Sequence, residues 1–487
     1  MEHLRHTGHL AVLAAMLVAA PWAAAAEAPA AEAEKKPAET VTTAEGPEDS
    51  GGSAFENFIQ ESKKPLPWLT WGADLRLREV YIDNAVTLDK EDPNHERHFQ
   101  RYRGRWWFTV TPAENVALNS RIMWEGRHWN KPDAFSEWGN GWRGDVMFDT
   151  LNLELKKIGG SPVSLKVGRQ DIILGSGWIV IDGTPLDGSR TLYFDAARMT
   201  VDLDAAKTKV DLIYIDQKAD PDDAWIGLIK DRGADAMGAV TDQDERGVIL
   251  YVTNTSLPKT QIEGYFMMKE EQMLRFLPNG REGELYTFGG AVSGLFGAGD
   301  HWKYRAEGAH QFGHEMGRTV RAFGFNSSLA YLVKDKVNGE VRGMYEFVSG
   351  DDPSTPGTDE SFDMLWGRWP TWSELYIYTY AGETGRLAEN NNLHRLGFGY
   401  TCDPAKNLKF IANYHLLWAQ ENTYAGRAGY TGDGLFRGQL LTLRTNYKFN
   451  DHVSTHLVTE FFFPGNYQDD TRNDAACFLR GEVVFTW

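Results

Sequence analysis

Arginine residues alternate with other residue types in one short stretch of the sequence. In HFQRYRGRWWFTV, residues 98–110, Arg101, Arg103 and Arg105 take every second position, and Tyr, Gly and Trp follow them in turn. A guanidinium group keeps its charge over the physiological pH range and can hold a carboxylate with two parallel hydrogen bonds. The spacing therefore predicts a row of anion-binding groups on one face of an extended segment, although the 487-residue chain has a formal net charge of −18.

The element that would position these arginines is a β-strand, and the same period recurs along the chain. In WGADLRL, TLNLELK and LLTLRTNYKF, apolar and polar residues alternate with period two, whereas an amphipathic helix would show a period near 3.6. We identify 18 such segments and no long amphipathic helix. The segments begin near residues 69, 97, 115, 146, 163, 191, 208, 246, 260, 284, 301, 319, 340, 392, 407, 437, 453 and 477.

The links between these segments alternate in length. Short turns such as TPAEN (111–115) and NDH (450–452) alternate with links that are mostly long and polar, such as residues 217–244, 350–390 and 421–435. An even number of antiparallel strands with short turns at one end and long loops at the other is typical of bacterial outer-membrane barrels. The pattern predicts an all-β transmembrane antiparallel barrel of 18 strands, with short periplasmic turns and long extracellular loops.

The cost of placing charge in lipid decides which face of each strand points inward. An arginine on the lipid face costs roughly 2–4 kcal/mol at mid-bilayer, so we assign the charged parity to the lumen and the parity of Tyr102 and Trp106 to lipid. The basic residues assigned to the lumen are Arg76, Arg78, Arg101, Arg103, Arg105, Arg121, Arg127, Lys166, Arg198, Lys303, Arg305, Arg342, Arg395, Lys409, Arg444, Lys448 and Arg480, and the acidic ones are Asp74, Glu125, Glu154, Asp202, Glu307, Glu346, Glu460 and Glu482. The excess of cations predicts an anion-selective lumen. The alternative is that these charges pair with one another and brace the wall.

The N-terminal region lacks the alternation. Residues 1–26 resemble a secretory signal peptide, and we prefer this interpretation to a transmembrane anchor because Pro21 breaks a short apolar run. Residues 27–67 are rich in Ala, Glu and Pro and are predicted to be a disordered periplasmic tether, with a short helix at residues 55–62. The barrel is predicted to span residues 68–487.

Composition and motifs argue against several functional classes. The acidic balance argues against nucleic-acid binding, and Cys402 and Cys477 are predicted at opposite ends of the wall, with no disulfide between them. No P-loop, GxSxG, HExxH or CxxC motif is present. We therefore predict a protein that is not an enzyme and that has no cofactor and no metal.

A few residues leave other chemistry open. The acidic segments DQKADPDD and SGDDP lack the spacing of an EF-hand, so we favour solvated loops over calcium sites. Asp351 with Asp352, or Asp359 with Glu360, could form a hydrolase carboxylate pair, but adjacent acids in a loop are usually solvated, and we favour that interpretation. His310 and His314 fall on the lipid-facing parity and are interpreted as interface residues.

Two stretches resemble the alginate-export family of outer-membrane barrels. The first is LKVGRQDIILGSGWIVIDGTPLDGSRTLYFDAARMTV, residues 165–201, and the second is RWPTWSELYIYTYAGETG, residues 368–385. The resemblance covers residues 69–487 and implies an 18-stranded barrel with an arginine-rich lumen that passes a polyuronate outward. It also implies that Arg169 in VGRQ is a lumen arginine, and the poor parity of its neighbours predicts a β-bulge beside it.

The resemblance and the charge pattern together predict an outer-membrane channel with a cationic lumen for an anionic polysaccharide such as alginate. The alternatives are an anion-selective porin that takes up small acidic sugars or oligouronates, and a barrel enzyme that acts on envelope polymers. The expected partners are outer-membrane lipid, the polysaccharide, the barrel-assembly machinery and, as a further candidate, a periplasmic polysaccharide-synthesis complex. Because the periplasmic turns are short, any occlusion of the bore is expected from the extracellular loops at 217–244 and 350–390.

Overall fold

A computed structural model describes most of the chain from residue 58 onward. The described residues are 58–59, 61–132, 146–182, 193–220, 223–227, 241, 243–274, 280–367, 371–384 and 390–487. The predicted signal peptide and most of the predicted tether lie outside these residues.

Eighteen antiparallel strands form the wall of a closed barrel. They are β1 Leu69–Asp83, β2 Glu96–Ala113, β3 Val116–Lys131, β4 Val146–Leu155, β5 Val163–Gln170, β6 Phe194–Leu203, β7 Thr208–Gln217, β8 Asp244–Asn254, β9 Thr260–Gln272, β10 Gly283–Phe296, β11 Trp302–Glu315, β12 Arg318–Leu332, β13 Glu340–Val348, β14 Leu393–Ala405, β15 Leu408–Trp418, β16 Phe436–Lys448, β17 Val453–Pro464 and β18 Ala476–Thr486. Each strand pairs with the next, and β1 also pairs with β18, with Asp74 opposite Thr486. The predicted 18-stranded antiparallel barrel is confirmed.

The start of each strand was well defined by the period-two pattern. The largest difference is at β6, which was predicted from residue 191 and begins at Phe194. The regularity follows from the solvent on each side of the wall, because every second side chain must suit lipid and the others must suit the polar lumen.

Connections at the two ends of the barrel differ in length. Both termini of the β-region lie at the short-turn end, where β14 and β15 are separated by only residues 406–407. The opposite end carries the long loops, with one exception between β11 and β12. There Met316 and Gly317 form the whole connection, both with positive φ (49° and 79°). A tight hairpin of this kind matches the right-handed twist of the strands.

The outward face of the wall is apolar and the inward face is filled. Along β7, Leu212 and Tyr214 are exposed outward, whereas Ile213 and Ile215 are buried. On β2 the outward Trp106 is 52% exposed. His310 lies on the outward parity as expected, opposite Phe288 and Phe323 in the register. Its ring packs against Phe288 with the ring centroids 5.4 Å apart.

The end of the predicted tether contacts the barrel. The backbone N–H of Lys63 donates to the Ile59 carbonyl at 3.0 Å, which forms a helical turn, and Ile59 is buried. The indole N–H of Trp71 on β1 donates to the Ser62 carbonyl at 2.6 Å. The described part of the segment predicted to be a short helix is therefore helical, and it is fixed to the first wall strand.

Two long loops contribute structure that is not part of the wall. Ile172–Ile173 pairs with Ile181–Asp182 in the β5–β6 loop, and Thr358–Asp359 of the β13–β14 loop pairs parallel to β12. The β13–β14 loop also contains a helix, α1, at Leu375–Thr384. Single 3-10 turns occur at Ile158–Gly160, Asp204–Ala206 and Ala298–Asp300.

Helix α1 was not predicted. The alternating apolar and aromatic residues of LYIYTY favour a strand, yet Leu375 to Ala381 are all buried as a helix. Among the described residues, no helix has both the length and the apolar character needed to cross a membrane.

Candidate functional site: the lumen and its inward loops

The β5–β6 loop folds into the barrel and reaches the opposite wall. The indole N–H of Trp178 donates to Glu346 Oε1 on β13 at 2.9 Å, and its ring stacks on Phe362 with centroids 5.6 Å apart. Val180 forms a parallel bridge with Trp366 of the β13–β14 loop. The two inward loops therefore pack on each other inside the bore.

The first half of the β13–β14 loop is fixed to strands β8, β9 and β11. Lys269 Nζ on β9 donates to the Leu365 carbonyl at 3.1 Å, and Gln311 Nε2 on β11 donates to the Asp363 carbonyl at 2.6 Å. The indole N–H of Trp366 donates to Glu245 Oε2 on β8 at 3.1 Å.

The second half of the same loop is fixed to the other side of the barrel. Glu460 on β17 accepts the backbone N–H groups of Glu374 and Leu375, both at 3.0 Å, at the start of α1. Arg480 on β18 pairs with Glu374, and Arg437 on β16 pairs with Glu383, with its Nη2 donating to Oε1 at 2.7 Å. In a ring of 18 strands, β9 and β18 lie on opposite sides, so this loop crosses the lumen.

Two extracellular loops, at residues 350–390 and 217–244, were the expected sources of any occlusion of the bore. The β13–β14 loop, expected from residues 350–390, lies in the bore as predicted. For the other expected loop, residues 217–244, the described part contributes the Ile226 carbonyl, which accepts from Arg169 Nη2 at 2.6 Å. Residues 228–240 of that loop lie outside the described residues.

The arginines of β1, β2 and β3 stand directly opposite one another in the register. Arg76 on β1 stands opposite Arg103 on β2. Arg101 on β2 stands between Arg78 on β1 and Arg127 on β3. Like charges directly opposite one another in a sheet are destabilising. Their retention on three neighbouring strands therefore needs compensation from anions.

Part of that compensation comes from acidic residues of the wall. Arg105 Nε donates to Asp74 Oδ2 at 2.9 Å, and Arg78 Nε donates to Glu482 Oε2 at 2.6 Å. Glu125 lies 3.4 Å from Arg76 and 3.6 Å from Arg101. These contacts are of the kind expected if the charges of the lumen pair with one another and brace the barrel wall.

The arginines are covered by protein rather than by open water, a difference from the water-lined row that the alternation of residues predicts. Arg101 is 3% exposed and Arg103 is 6% exposed. Tyr378 of α1 lies beside this cluster, with the Arg97 guanidinium 5.9 Å from its ring centroid. Burial raises the pKa of the Tyr378 hydroxyl, so this ring is a neutral cover for the arginine wall.

Other predicted lumen residues are also held by protein partners. Arg121 Nε donates to Asp149 at 2.7 Å, and the Arg127 guanidinium lies 5.1 Å from the ring centroid of Phe99. The remaining contacts are Arg198 with Asp211, Arg305 with Glu263 and Glu307, Arg342 with Glu340 and Asn413, Arg395 with Glu346, Arg444 with Asn446, and Glu154 with Lys166.

Arg169 is held entirely among protein groups. Its side chain is fully buried, and it forms two hydrogen bonds of 2.9 Å with Asp195. The guanidinium also lies 3.5 Å from the ring centroid of Tyr193. The predicted bulge beside it is wrong, because β5 pairs with β4 and β6 without a shift in register. The irregularity is instead at Gly168, whose φ is +118°, where an added Cβ would lie 2.4 Å from the Leu151 carbonyl.

Several acidic residues of the bore were missed. Those on strands are Asp149, Asp211, Glu245, Glu263, Glu271 and Glu315, and those on inward loops are Asp171, Asp363, Glu374 and Glu383. The same parity rule would have found the strand acids, but no sequence signal indicated that the loops fold inward. Arg437 was missed because a register irregularity next to Gly438 turns it inward.

The charges of the inward face are unevenly distributed. The inward positions of β1–β3 hold Arg76, Arg78, Arg97, Arg101, Arg103, Arg105, Arg121 and Arg127 with only Asp74 and Glu125. Those of β7–β11 hold Asp211, Glu245, Glu263, Glu271, Glu307 and Glu315 with Lys209, Lys269, Lys303 and Arg305. One side of the bore is therefore basic and the other is acidic.

The adjacent acids considered for a hydrolase have structural partners. Arg318 binds both Asp351, at 2.6 Å, and Asp359, at 3.3 Å. Asp352 accepts the Ser354 backbone N–H at 2.8 Å, and hydrogen bonding from Ser354 lowers the pKa of the Asp352 carboxyl. Glu360 Oε1 accepts from the Thr355 hydroxyl at 2.9 Å. These contacts order the β13–β14 loop.

A closed barrel with an apolar outer face, a polar lumen and inward-folded loops is an outer-membrane channel. The chain belongs to the alginate export family, whose match covers residues 143–479. This match confirms the resemblance noted in the sequence. Family and fold together indicate a channel rather than an enzyme.

Solved structures support the same fold. OccAB1 of Acinetobacter baumannii matches with a TM-score of 0.57 and 11% identity over 86% of this chain and 96% of that one. OpdQ of Pseudomonas aeruginosa matches with a TM-score of 0.55 and 11% identity over 86% and 98% of the two chains. OccK5 (OpdH) of the same organism matches with a TM-score of 0.52 and 11% identity over 85% of this chain and 97% of that one. No curated protein matches the sequence significantly.

Proposed function

We propose that this channel passes an anionic polysaccharide, such as a polyuronate, across the outer membrane. The observation that carries the proposal is the opposed arginines of β1–β3. Like charges that stand opposite one another repel, so this row of arginines favours anions as partners. Guanidinium groups bind carboxylates with two hydrogen bonds, and the carboxylates of a passing polymer would exchange with the acidic residues that hold them now.

Helix α1 covers this wall through Tyr378 and is itself held by arginines of β16 and β18. Its Glu374 and Glu383 occupy Arg480 and Arg437, as the carboxylates of a polyuronate would. A polymer that competes for these arginines would release the helix from the basic wall. Once the helix is released and water reaches these sites, each contact of the polymer need contribute only about 1 kcal/mol or less, so the polymer can pass from one site to the next.

Reversal potentials in planar bilayers under a salt gradient test the proposal. The wild-type protein should prefer anions, and Arg103→Ala alone should lower that preference only mildly. Replacement of Arg101, Arg103 and Arg105 together by Glu should abolish or reverse it. Arg246→Gln is the control, because this arginine is exposed on the outward parity.

Assembly of each variant is checked by its heat-dependent mobility on a denaturing gel. If the triple Glu variant does not assemble, the triple Gln variant replaces it. If an assembled triple variant keeps the wild-type anion preference, the arginines only brace the wall and the proposal fails.

The second candidate is an anion-selective porin for small acidic sugars or oligouronates. The observation that favours it is the pair of loops inside the bore, since a narrowed lumen suits small solutes better than a polymer. Current block by uronate oligomers of increasing length separates the two candidates. Entry by short oligomers alone favours the porin, and progressive threading of long chains favours the polysaccharide channel.

A further inference from the structure

Three carboxylates from separate parts of the chain converge where the β13–β14 loop meets the wall. Glu271 lies on β9, Glu315 on β11 and Asp363 in the loop. One oxygen from each lies within 4.8 Å of the others. This cluster is distinct from the arginine wall on the other side of the lumen.

The wall leaves room for the two glutamates to meet. Gly283 on β10 stands in the register between them, opposite Glu271 on one side and Glu315 on the other. A Cβ at this glycine would lie 2.8 Å from the Glu315 Cα and 3.2 Å from its Cβ. Any other residue at position 283 would therefore crowd the gap over which the carboxylates converge.

Two cations lie among the carboxylates of the cluster. Lys269 Nζ lies 2.5 Å from Glu271 Oε1 and 3.7 Å from Glu245, and Arg281 Nη1 lies 2.8 Å from Glu315 Oε1. Several of these groups are buried, where an uncompensated charge is costly.

One carboxylate oxygen has no hydrogen-bonding partner. Glu271 is 3% exposed, and its Oε1 is bound by Lys269 and by Gln243 Nε2 at 2.9 Å. Its Oε2 is buried and forms no hydrogen bond. A buried carboxyl oxygen without a hydrogen-bonding partner indicates a place for a ligand, and this observation is independent of the grouping of the acids.

We propose that Glu271, Glu315 and Asp363 bind a divalent cation, and that this cation is Ca²⁺. Its charge would offset that of the three carboxylates, and the ion would give the Glu271 Oε2 a partner. Ca²⁺ takes six to eight oxygen ligands in flexible geometry, whereas Mg²⁺ demands a near-ideal octahedron and is usually bound through only one or two carboxylates. Three carboxylates from three separate elements therefore suit Ca²⁺ better.

The ion would join the β13–β14 loop to the wall of the barrel. Glu271 and Glu315 belong to the wall, and Asp363 belongs to the loop that crosses the bore. Bound Ca²⁺ holds this loop against β9 and β11, and its removal loosens the loop without affecting the wall. The site regulates the width of the lumen whatever solute the channel carries.

Calorimetric titration of the purified full-length barrel with Ca²⁺ tests the site. The wild-type protein should bind one equivalent saturably and bind Mg²⁺ more weakly. Glu271→Gln and Asp363→Asn should each weaken Ca²⁺ binding by about tenfold or more, because each removes one charged ligand. Glu282→Gln is the matched control: this glutamate is exposed and lies next to Gly283, and its substitution removes the same charge.

A second measurement tests the effect on the loop. Chelation of Ca²⁺ should increase the fluctuation of single-channel current in the wild-type protein and in Glu282→Gln, but not in Glu271→Gln. No saturable binding by the wild type, or unchanged binding in both site variants, overturns the proposal. Saturable binding with no change in current on chelation overturns the role of the ion in holding the loop.

Discussion

At the scale of single residues, Glu460 shows how one wall side chain determines the place of a loop. It lies on the inward parity of β17, and its two oxygens accept two backbone N–H groups and the Ser373 hydroxyl at the start of α1. The first N–H groups of a helix have no partner within the helix, and a carboxylate there also complements the helix dipole. The residue is therefore a cap that belongs to another element.

Replacement of Glu460 by Gln should weaken the docking of α1 and leave the barrel assembled. The amide keeps one acceptor but removes the charge, and hydrogen bonds to charged groups contribute about 1.5–3 kcal/mol. We expect faster hydrogen exchange in residues 375–384 and unchanged heat-dependent gel mobility. Glu79→Gln on the outward parity of β1 is the control. Equal exchange rates in the wild type and Glu460→Gln would contradict the capping role.

At the scale of elements, the wall strands were predictable and the lumen contents were not. Strands such as β7 alternate because lipid and lumen select opposite residue types at successive positions. The segment LYIYTY follows the same alternation but forms α1, because it is enclosed on all sides and its start is held by Glu460. Local propensity is a weak guide where tertiary contacts cover every face.

The residues of the candidate site were likewise only partly predictable from the sequence. The arginines of β1–β3 follow directly from parity, whereas Arg437 depends on a register irregularity and its partner Glu383 depends on the position of α1. Long-range contacts of this kind leave no periodic signal in the sequence. The lumen was therefore predicted as more basic than it is.

The ion pair between Arg437 and Glu383 should be strongly coupled. The side chains are 2% and 4% exposed, and loss of one partner from a buried pair costs about 3–5 kcal/mol because the other charge is left uncompensated. Arg437→Gln or Glu383→Gln alone should release α1, and the double variant should restore much of the docking. Hydrogen exchange of residues 375–384 in a double-mutant cycle measures the coupling. Additive effects of the two substitutions would show that the pair does not hold the helix.

At the scale of the whole molecule, the topology keeps the two cysteines apart. Cys402 lies at the short-turn end of β14, and Cys477 lies at the opposite end of β18, where it pairs with Asp83. Both are free. The apolar band of such a barrel is about 25 Å tall, whereas a disulfide requires Cα atoms within about 7 Å.

Thiol counting on denatured, unreduced protein should therefore find two free thiols per chain. In the folded protein, a membrane-impermeant thiol reagent added from the long-loop side should label Cys477. It should not label Cys402, because that thiol is buried at the opposite end of the barrel. A Cys402→Ser variant identifies which thiol reacts. A count of zero would show that the strand order is wrong.

The uneven placement of charge on the inward face gives the barrel a transverse electric field. The field runs across the bore, from the arginines of β1–β3 to the carboxylates of β7–β11. Focused between low-dielectric walls, such a field acts on the orientation of a solute as well as on its entry. A solute with both a carboxylate and a cationic group would turn to align its dipole with the field, and a purely anionic one would travel along a single side. We expect a lumen of this kind to sort solutes by the distribution of their charge as well as by its sign.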